Sequence, residues 1–278
     1  MHERSILIVE DDPEILEIYR RIFSPGQGFD LPSMGGAPAA RDSLTCMAYT
    51  DARRAVEDYR GMYEAGHRVP LCITDMRMTT QNGLDTAEQL RAIDRDIDIV
   101  ISTAYNDFSI EEIRSRLGER VFFVRKPFDY DEVLLMVESL VDYWGIRRAL
   151  GRESAFLSGL IEASHDLIFM KDPDGVYLTC NRRFAAFAKC PREKVIGGTD
   201  CDFLPQEVCA AFREQDRQVI KSGQSITYRE TVDHPDGGSC LLETIKSPVF
   251  SDKDKVIGIL GIARDISKIR GAGTEDAL

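Results

Sequence analysis

The sequence predicts two folded domains in tandem: a doubly wound α/β domain on a five-stranded parallel sheet, then a smaller α+β domain on a five-stranded antiparallel sheet. Three observations predict this. Residues 5–128 alternate short β-branched apolar runs with amphipathic stretches of helical period. From Asp166 the period falls to two, as in strands that bury one face. The chain has 278 residues, 43% apolar and 29% charged, enough for two cores of ordinary size.

In the first domain the strand candidates are Ile6–Val9, Leu44–Tyr49, Leu71–Thr74, Ile97–Ser102 and Val121–Val124. They lack in/out alternation, which suits strands covered on both faces. Helical faces lie between them. Ile15, Tyr19, Ile22 and Phe23 form one, opened by Asp12 as N-cap and Pro13 at the first helical position. Ala52, Val56, Tyr59 and Tyr63 form a second; Leu84, Ala87 and Leu90 a third; Ile110, Ile113 and Leu117 a fourth; Val133, Val137, Leu140 and Trp144 a fifth. Repeated β–α units imply a parallel sheet with helices on both sides. Ser24–Ser43, rich in Gly, Pro and Ala, is expected to be a long mobile loop.

The fifth apolar face continues through Ile146 and Leu150 to Phe156, Leu157, Leu160 and Ile161. Gly145, Gly151 and Gly159 weaken it, so a helical linker with a break is expected, able to pair with a second copy. Beyond it, DLIFMKDPDGVYLTCN reads as strand, Asp-Gly turn, strand. Helices over Asn181–Ala188 and Gln206–Ser222 precede strands at Ser225–Asp233, Ser239–Ser251 and Val256–Ala263. The resulting division is a first domain over 1–143, a linker over 144–160, a second domain over 161–270 and a disordered tail over 271–278.

Charge and cysteine content remove several functional classes. The net charge of -12 argues against a general nucleic-acid binder, so no direct nucleic-acid partner is expected. Residues 1–145 hold 16 basic and 27 acidic side chains, net -11, so the first domain carries most of that charge. No apolar run reaches the roughly 18–20 residues of a membrane span. The start, MHERSILIVED, is too acidic and short for a signal peptide, and a cytoplasmic protein without membrane attachment is expected. Seven cysteines without a C-x-x-C pair or a histidine at ligand spacing read as reduced, mostly buried thiols, with no structural zinc.

In an open parallel sheet, ligands bind beyond the carboxyl ends of the strands. Those ends carry Glu10-Asp11-Asp12, then Asp75, Ser102-Thr103 and Arg125-Lys126-Pro127. If the first and third strands are neighbours, Glu10, Asp11 and Asp75 converge, and so many carboxylates call for a cation. Mg²⁺ suits them as a hard ion with oxygen ligands. A cation, a carboxylate, an ammonium and a hydroxyl are what phosphoryl transfer to Asp75 requires.

ILIVEDD, TDMRM with the later NG, STA and KPF together make residues 4–143 resemble the flavodoxin-like receiver domain of two-component response regulators. The resemblance implies Asp75 as phosphoacceptor and Glu10, Asp11, Asp75 and the Arg77 backbone carbonyl as Mg²⁺ ligands. It implies Thr103 and Lys126 as phosphoryl-binding groups, Phe123 as the switch aromatic, a cis Lys126–Pro127 bond and a histidine kinase as phosphodonor. Thr79 stands where the family has proline, so the loop to Gly83 is expected to be looser. Haloacid-dehalogenase-like phosphatases need an aspartate where this chain has Arg77, which disfavours ester hydrolysis.

SHDLIFMKDPDGVYLTCNRRFAAF, GGTDCDFLP, TVDHPDGG and GIARDIS make residues 154–270 resemble a PAS sensor domain. Flavin photochemistry needs Asn-Cys-Arg, and the chain reads Cys180-Asn181-Arg182. Haem would need His165 or His234, which read as surface residues. Phe169, Phe184, Phe187 and Ile245 are cavity-facing or core candidates, and the PAS ligand is left unnamed. The combined expectation is a signalling relay with self-phosphorylation as its chemistry, a homodimer through linker and PAS. The alternative is the regulatory front of a longer histidine kinase or diguanylate cyclase.

Overall fold

The computed structural model describes residues 4–23, 44–104, 109–203, 206–233 and 239–267. The Ser24–Ser43 loop, the 271–278 tail and His234 lie outside the described residues. The chain divides into two compact units, Met1–Arg152 and Glu153–Leu278.

In the first unit, strands β1 (Ser5–Val9), β2 (Thr45–Tyr49), β3 (Leu71–Asp75), β4 (Asp98–Thr103) and β5 (Val121–Arg125) form one sheet in the order β2-β1-β3-β4-β5, all parallel. Successive residues feed opposite faces, which explains the unbroken apolar runs. Leu7, Val9, Ile99 and Ile101 pack with α2 (Ala52–Glu64), α3 (Gly83–Ile93) and α4 (Ile110–Leu117). Ile6, Ile8, Ile73 and Val100 pack on the other face with α1 (Pro13–Phe23) and the start of α5 (Tyr130–Ala163). Side-chain caps start the helices: Asp12 accepts from the Glu14 amide at 2.8 Å, Asp51 from Arg53 at 2.8 Å, and Asn82 from Asp85 at 2.7 Å.

Helix α5 is one unbroken element of 34 residues, so the expected break at Gly145, Gly151 or Gly159 is absent. Each glycine costs about 1 kcal/mol against alanine, but each sits in open space and leaves the hydrogen-bond ladder intact. Trp144 is buried, whereas Tyr143, Ile146, Leu150, Phe156, Leu157 and Leu160 are exposed.

In the second unit, β6 (Leu167–Lys171), β7 (Tyr177–Cys180), β8 (Ile226–Asp233), β9 (Ser239–Phe250) and β10 (Val256–Asp265) form an antiparallel sheet in the order β7-β6-β10-β9-β8. Between β7 and β8 come α6 (Arg182–Phe187), the short α7 (Arg192–Val195), a 3-10 turn (Asp200–Asp202) and α8 (Gln206–Ser222). Gly261 lets the Phe169 ring lie flat against β10, where any Cβ would collide with it. Phe169 and Phe184 are buried and Phe187 half-buried, but Ile245 is 44% exposed. The expectation for Ile245 is corrected by strand phase: Leu242, Thr244 and Lys246 take the inward positions of β9.

The reading of all cysteines as reduced thiols is also corrected. Cys201 and Cys209 are joined in a disulfide across eight positions, while Cys46, Cys72, Cys180, Cys190 and Cys240 are free.

Candidate functional site

β1 and β3 are neighbours, and their C-terminal ends bring the acidic residues together. Glu10, Asp11 and Asp75 offer carboxylate oxygens that all lie within 4.8 Å of one another. Glu10 and Asp75 are buried and Asp11 half-buried. Lys126 follows β5 and spans the cluster, its Nζ 2.6 Å from Asp75 Oδ1 and 2.7 Å from Glu10 Oε2. Its amide donates to the Thr103 carbonyl at 2.9 Å, and the Lys126–Pro127 peptide is cis. Phe128, two residues on, stacks on Tyr19 of α1 at 5.2 Å, which braces the turn that aims the lysine.

Electrostatics follow from this crowding. Burial pushes the Glu10 carboxyl above its ordinary value, against the Lys126 hydrogen bond and with the Asp75 charge adding to it. Burial would lower the Lys126 ammonium, but hydrogen bonds to Asp75 and Glu10 outweigh it and hold the group above its ordinary value. One ammonium among three carboxylates leaves the cluster net negative. Its all-oxygen donors fit a hard divalent cation, so the site can hold Mg²⁺.

The loop after Asp75 is tied down at several points. The Arg77 amide donates to Asp75 Oδ2 at 2.9 Å, and the Thr79 amide donates to Asp11 Oδ2 at 2.7 Å. Proline at position 79 could not make the second bond, so the looseness expected from Thr79 is replaced by an anchor onto Asp11. Gly83 opens α3 so close to the Asp75 carbonyl that a Cβ would strike it. Asp75 pairs in register with Ser102, which places half-buried Thr103 at the next step of β4. Phe123 on β5 is 40% exposed.

Sequence reasoning missed a second charged cluster, inside the other unit. Lys171 of β6 and Lys246 of β9 are fully buried with Asp200 of the 3-10 turn and Asp216 of α8. Lys171 Nζ lies 2.5 Å from Asp200 and 3.1 Å from Asp216, and Lys246 Nζ lies 2.6 Å from Asp216. The Tyr177 hydroxyl donates to Asp200 at 2.6 Å. Burial lowers the Lys246 ammonium and, with Asp200, raises the Tyr177 hydroxyl. The available signal was strand phase, since Lys171 and Lys246 share inward parity with Phe169 and Leu242. His165, a haem-ligand candidate, is exposed ahead of β6.

The family model for the response regulator receiver domain matches residues 6–138, and that for the PAS fold matches residues 161–270. Sporulation initiation phosphotransferase F of Bacillus subtilis (strain 168) is 32% identical over 133 residues, 48% of this chain and 90% of that protein. The methanogenesis regulatory histidine kinase FilI of Methanothrix harundinacea (strain 6Ac) is 28% identical over 184 residues, 65% of this chain and 20% of that protein. The aerobic respiration control sensor protein ArcB of Escherichia coli (strain K12) is 29% identical over 117 residues, 42% of this chain and 15% of that protein. This chain therefore belongs to the response regulator receiver family and carries a PAS domain after the receiver; it is a protein of two-component signalling. It spans a fifth or less of the length of FilI and ArcB. Among the described residues, no helix is long and apolar enough to cross a membrane.

Proposed function

We propose that the receiver accepts a phosphoryl group on Asp75 from a histidine kinase and passes that state through α5 to the PAS domain. The observation that carries this is Lys126, held 2.6 Å from Asp75 and 2.7 Å from Glu10 at the carboxyl edge of the sheet. Glu10, Asp11 and Asp75, with the Arg77 backbone carbonyl, would hold Mg²⁺, which when bound offsets the charge of an incoming phosphoryl group. Asp75 supplies the attacking oxygen, with the Arg77 amide on Oδ2 fixing the carboxylate. As the new O–P bond forms, the N–P bond of the kinase phosphohistidine breaks and its imidazole leaves with the electron pair. Lys126 then exchanges a carboxylate partner for a phosphoryl oxygen, and Thr103 donates a hydrogen bond to another. The added charge favours the conformer in which Thr103 and Phe123 shift together. Such a bias needs roughly 5.5 kcal/mol of differential binding for a near-complete switch, the scale of a few charge-assisted hydrogen bonds.

The proposal includes a cytoplasmic setting, no catalytic turnover of an external substrate, and a homodimer. Tyr143, Ile146, Leu150, Leu157 and Leu160 are exposed on α5 at spacings of three, four and seven residues, and a second copy supplies a matching helix. A second reading, the regulatory part of a longer histidine kinase or diguanylate cyclase, draws support from the 184-residue alignment with FilI. The test for phosphoacceptance is ¹⁹F NMR with beryllofluoride and Mg²⁺, a mimic of the acyl phosphate. A bound signal in the wild type and none in Asp75→Asn is expected; a bound signal in both would place the acceptor elsewhere.

A further inference from the structure

The one disulfide among the described residues joins two elements that also supply the buried carboxylates of the PAS unit. Cys201 lies in the 3-10 turn, directly after Asp200, and is exposed. Cys209 lies in the first turn of α8, about two turns before Asp216, and is 8% exposed. Their Cα atoms are 5.2 Å apart, within the usual range of about 4.4–6.8 Å for such a bridge. Asp200 and Asp216 close from these two elements on the same Lys171 Nζ. The bridge thus ties together the two elements that neutralise a wholly buried ammonium, about two turns along α8 from Asp216.

We propose that Cys201–Cys209 is a reversible thiol–disulfide switch by which the PAS unit reads its redox surroundings, with a dithiol as reductant and the corresponding disulfide as oxidant. A thiolate of the reductant attacks the sulfur of Cys201, the exposed partner, breaking the Cys201–Cys209 bond. This forms a mixed disulfide on Cys201, and the Cys209 sulfur leaves with the electron pair and takes a proton. The second thiolate of the reductant then attacks its own sulfur in that mixed disulfide. The Cys201 thiolate is released and protonated, and the reductant leaves as a disulfide. The reverse sequence restores the bridge and regenerates the dithiol.

Site selectivity follows from exposure. Cys72, Cys180 and Cys240 are buried, Cys46 and Cys190 are half-buried, and burial pushes the Cys46 thiol up to about 11. Once reduced, the turn loses its covalent cross-link to α8, and the pairing of Asp200 and Asp216 on Lys171 is left to hold the two elements in place. The physiological part of the proposal rests on the cytoplasmic reading above, since disulfides in a reducing compartment are usually transient or redox-sensing.

The test uses the full chain equilibrated with oxidised or reduced dithiothreitol, with iodoacetamide labelling under native conditions read by intact mass and peptide mapping. Backbone hydrogen exchange is followed in the same samples. The oxidised protein is expected to leave Cys201 and Cys209 unlabelled, and the reduced protein to label Cys201. Reduction is expected to speed exchange at least tenfold in the 199–203 turn and at Lys171, and oxidised dithiothreitol to restore the slow rates. The Cys201→Ser, Cys209→Ser double variant is expected to exchange like the reduced form in either buffer. If that variant does not fold, reduced wild type carries the same comparison. Labelling of Cys201 in the oxidised sample, or identical exchange in both states, would overturn the proposal. No readout involves Asp75 or a phosphodonor, so failure here leaves the receiver reading untouched.

Discussion

Replacing Asp216 with leucine separates a coupled buried network from a set of independent pairs. The carboxylate is 1% exposed and takes Lys246 Nζ on one oxygen at 2.6 Å and Lys171 Nζ on the other at 3.1 Å. Without it, Lys171 keeps Asp200, but Lys246 keeps only neutral partners among the contacts described, the Phe212 carbonyl at 3.4 Å and the Phe212 and Tyr228 rings at 5.1 and 5.8 Å. Removing one partner of a buried ion pair costs about 3–5 kcal/mol, because the surviving charge stays desolvated. For a domain of this size that is a fall in midpoint of roughly 12–20 °C, at about 4 °C per kcal/mol. Adding Lys246→Met removes the orphaned charge and leaves the Lys171–Asp200 pair balanced. The double variant should therefore be more stable than Asp216→Leu alone by about 2 kcal/mol or more. Urea unfolding of the full chain followed by circular dichroism measures both. A single-variant cost below about 1 kcal/mol, or a double-variant cost equal to the sum of the two singles, would refute the coupled network.

Three further outcomes are expected. Thr79→Pro removes the amide that holds Asp11 and should weaken Mg²⁺ binding about fivefold, the scale of a single hydrogen bond near 1 kcal/mol, while Thr79→Ala keeps the amide and the affinity; calorimetric titration with Mg²⁺ compares them. Gly83→Ala should slow phosphorylation by acetyl phosphate at least tenfold, because its Cβ displaces the Asp75 carbonyl; an unchanged rate in a folded variant would show that the loop yields freely. Leu150→Asp should shift sedimentation of the full chain from dimer to monomer, and a wild type that sediments as a monomer with and without beryllofluoride removes the pairing through α5.

The parallel sheet was legible because β1, β3 and β4 bury both faces and so read as continuous apolar runs. The candidate site was legible for a related reason: polar residues gather where such runs end, and Glu10, Asp75, Thr103 and Lys126 stand at those ends. The long helix was harder, since glycine propensity argues for a break: Val133, Val137, Val141 and Trp144 pack its first half, while Gly151 and Gly159 continue it through an exposed stretch that no apolar pattern distinguishes from a broken one. Two features escaped. Lys171 and Lys246 look like solvated residues by type, and only strand phase points them inward. Cys201 and Cys209 carry no motif, and their pairing depends on how the turn meets α8. Ile245 failed through the same phase error that hid Lys246, its neighbour on β9.

The most direct test of the central claim is intact-mass analysis after incubation with acetyl phosphate and Mg²⁺, on wild type and Asp75→Asn side by side. A single phosphoryl adduct on wild type alone, lost when EDTA removes the metal, is the outcome expected from this geometry. An adduct of equal yield on both proteins, or on neither, would contradict Asp75 as the phosphoacceptor.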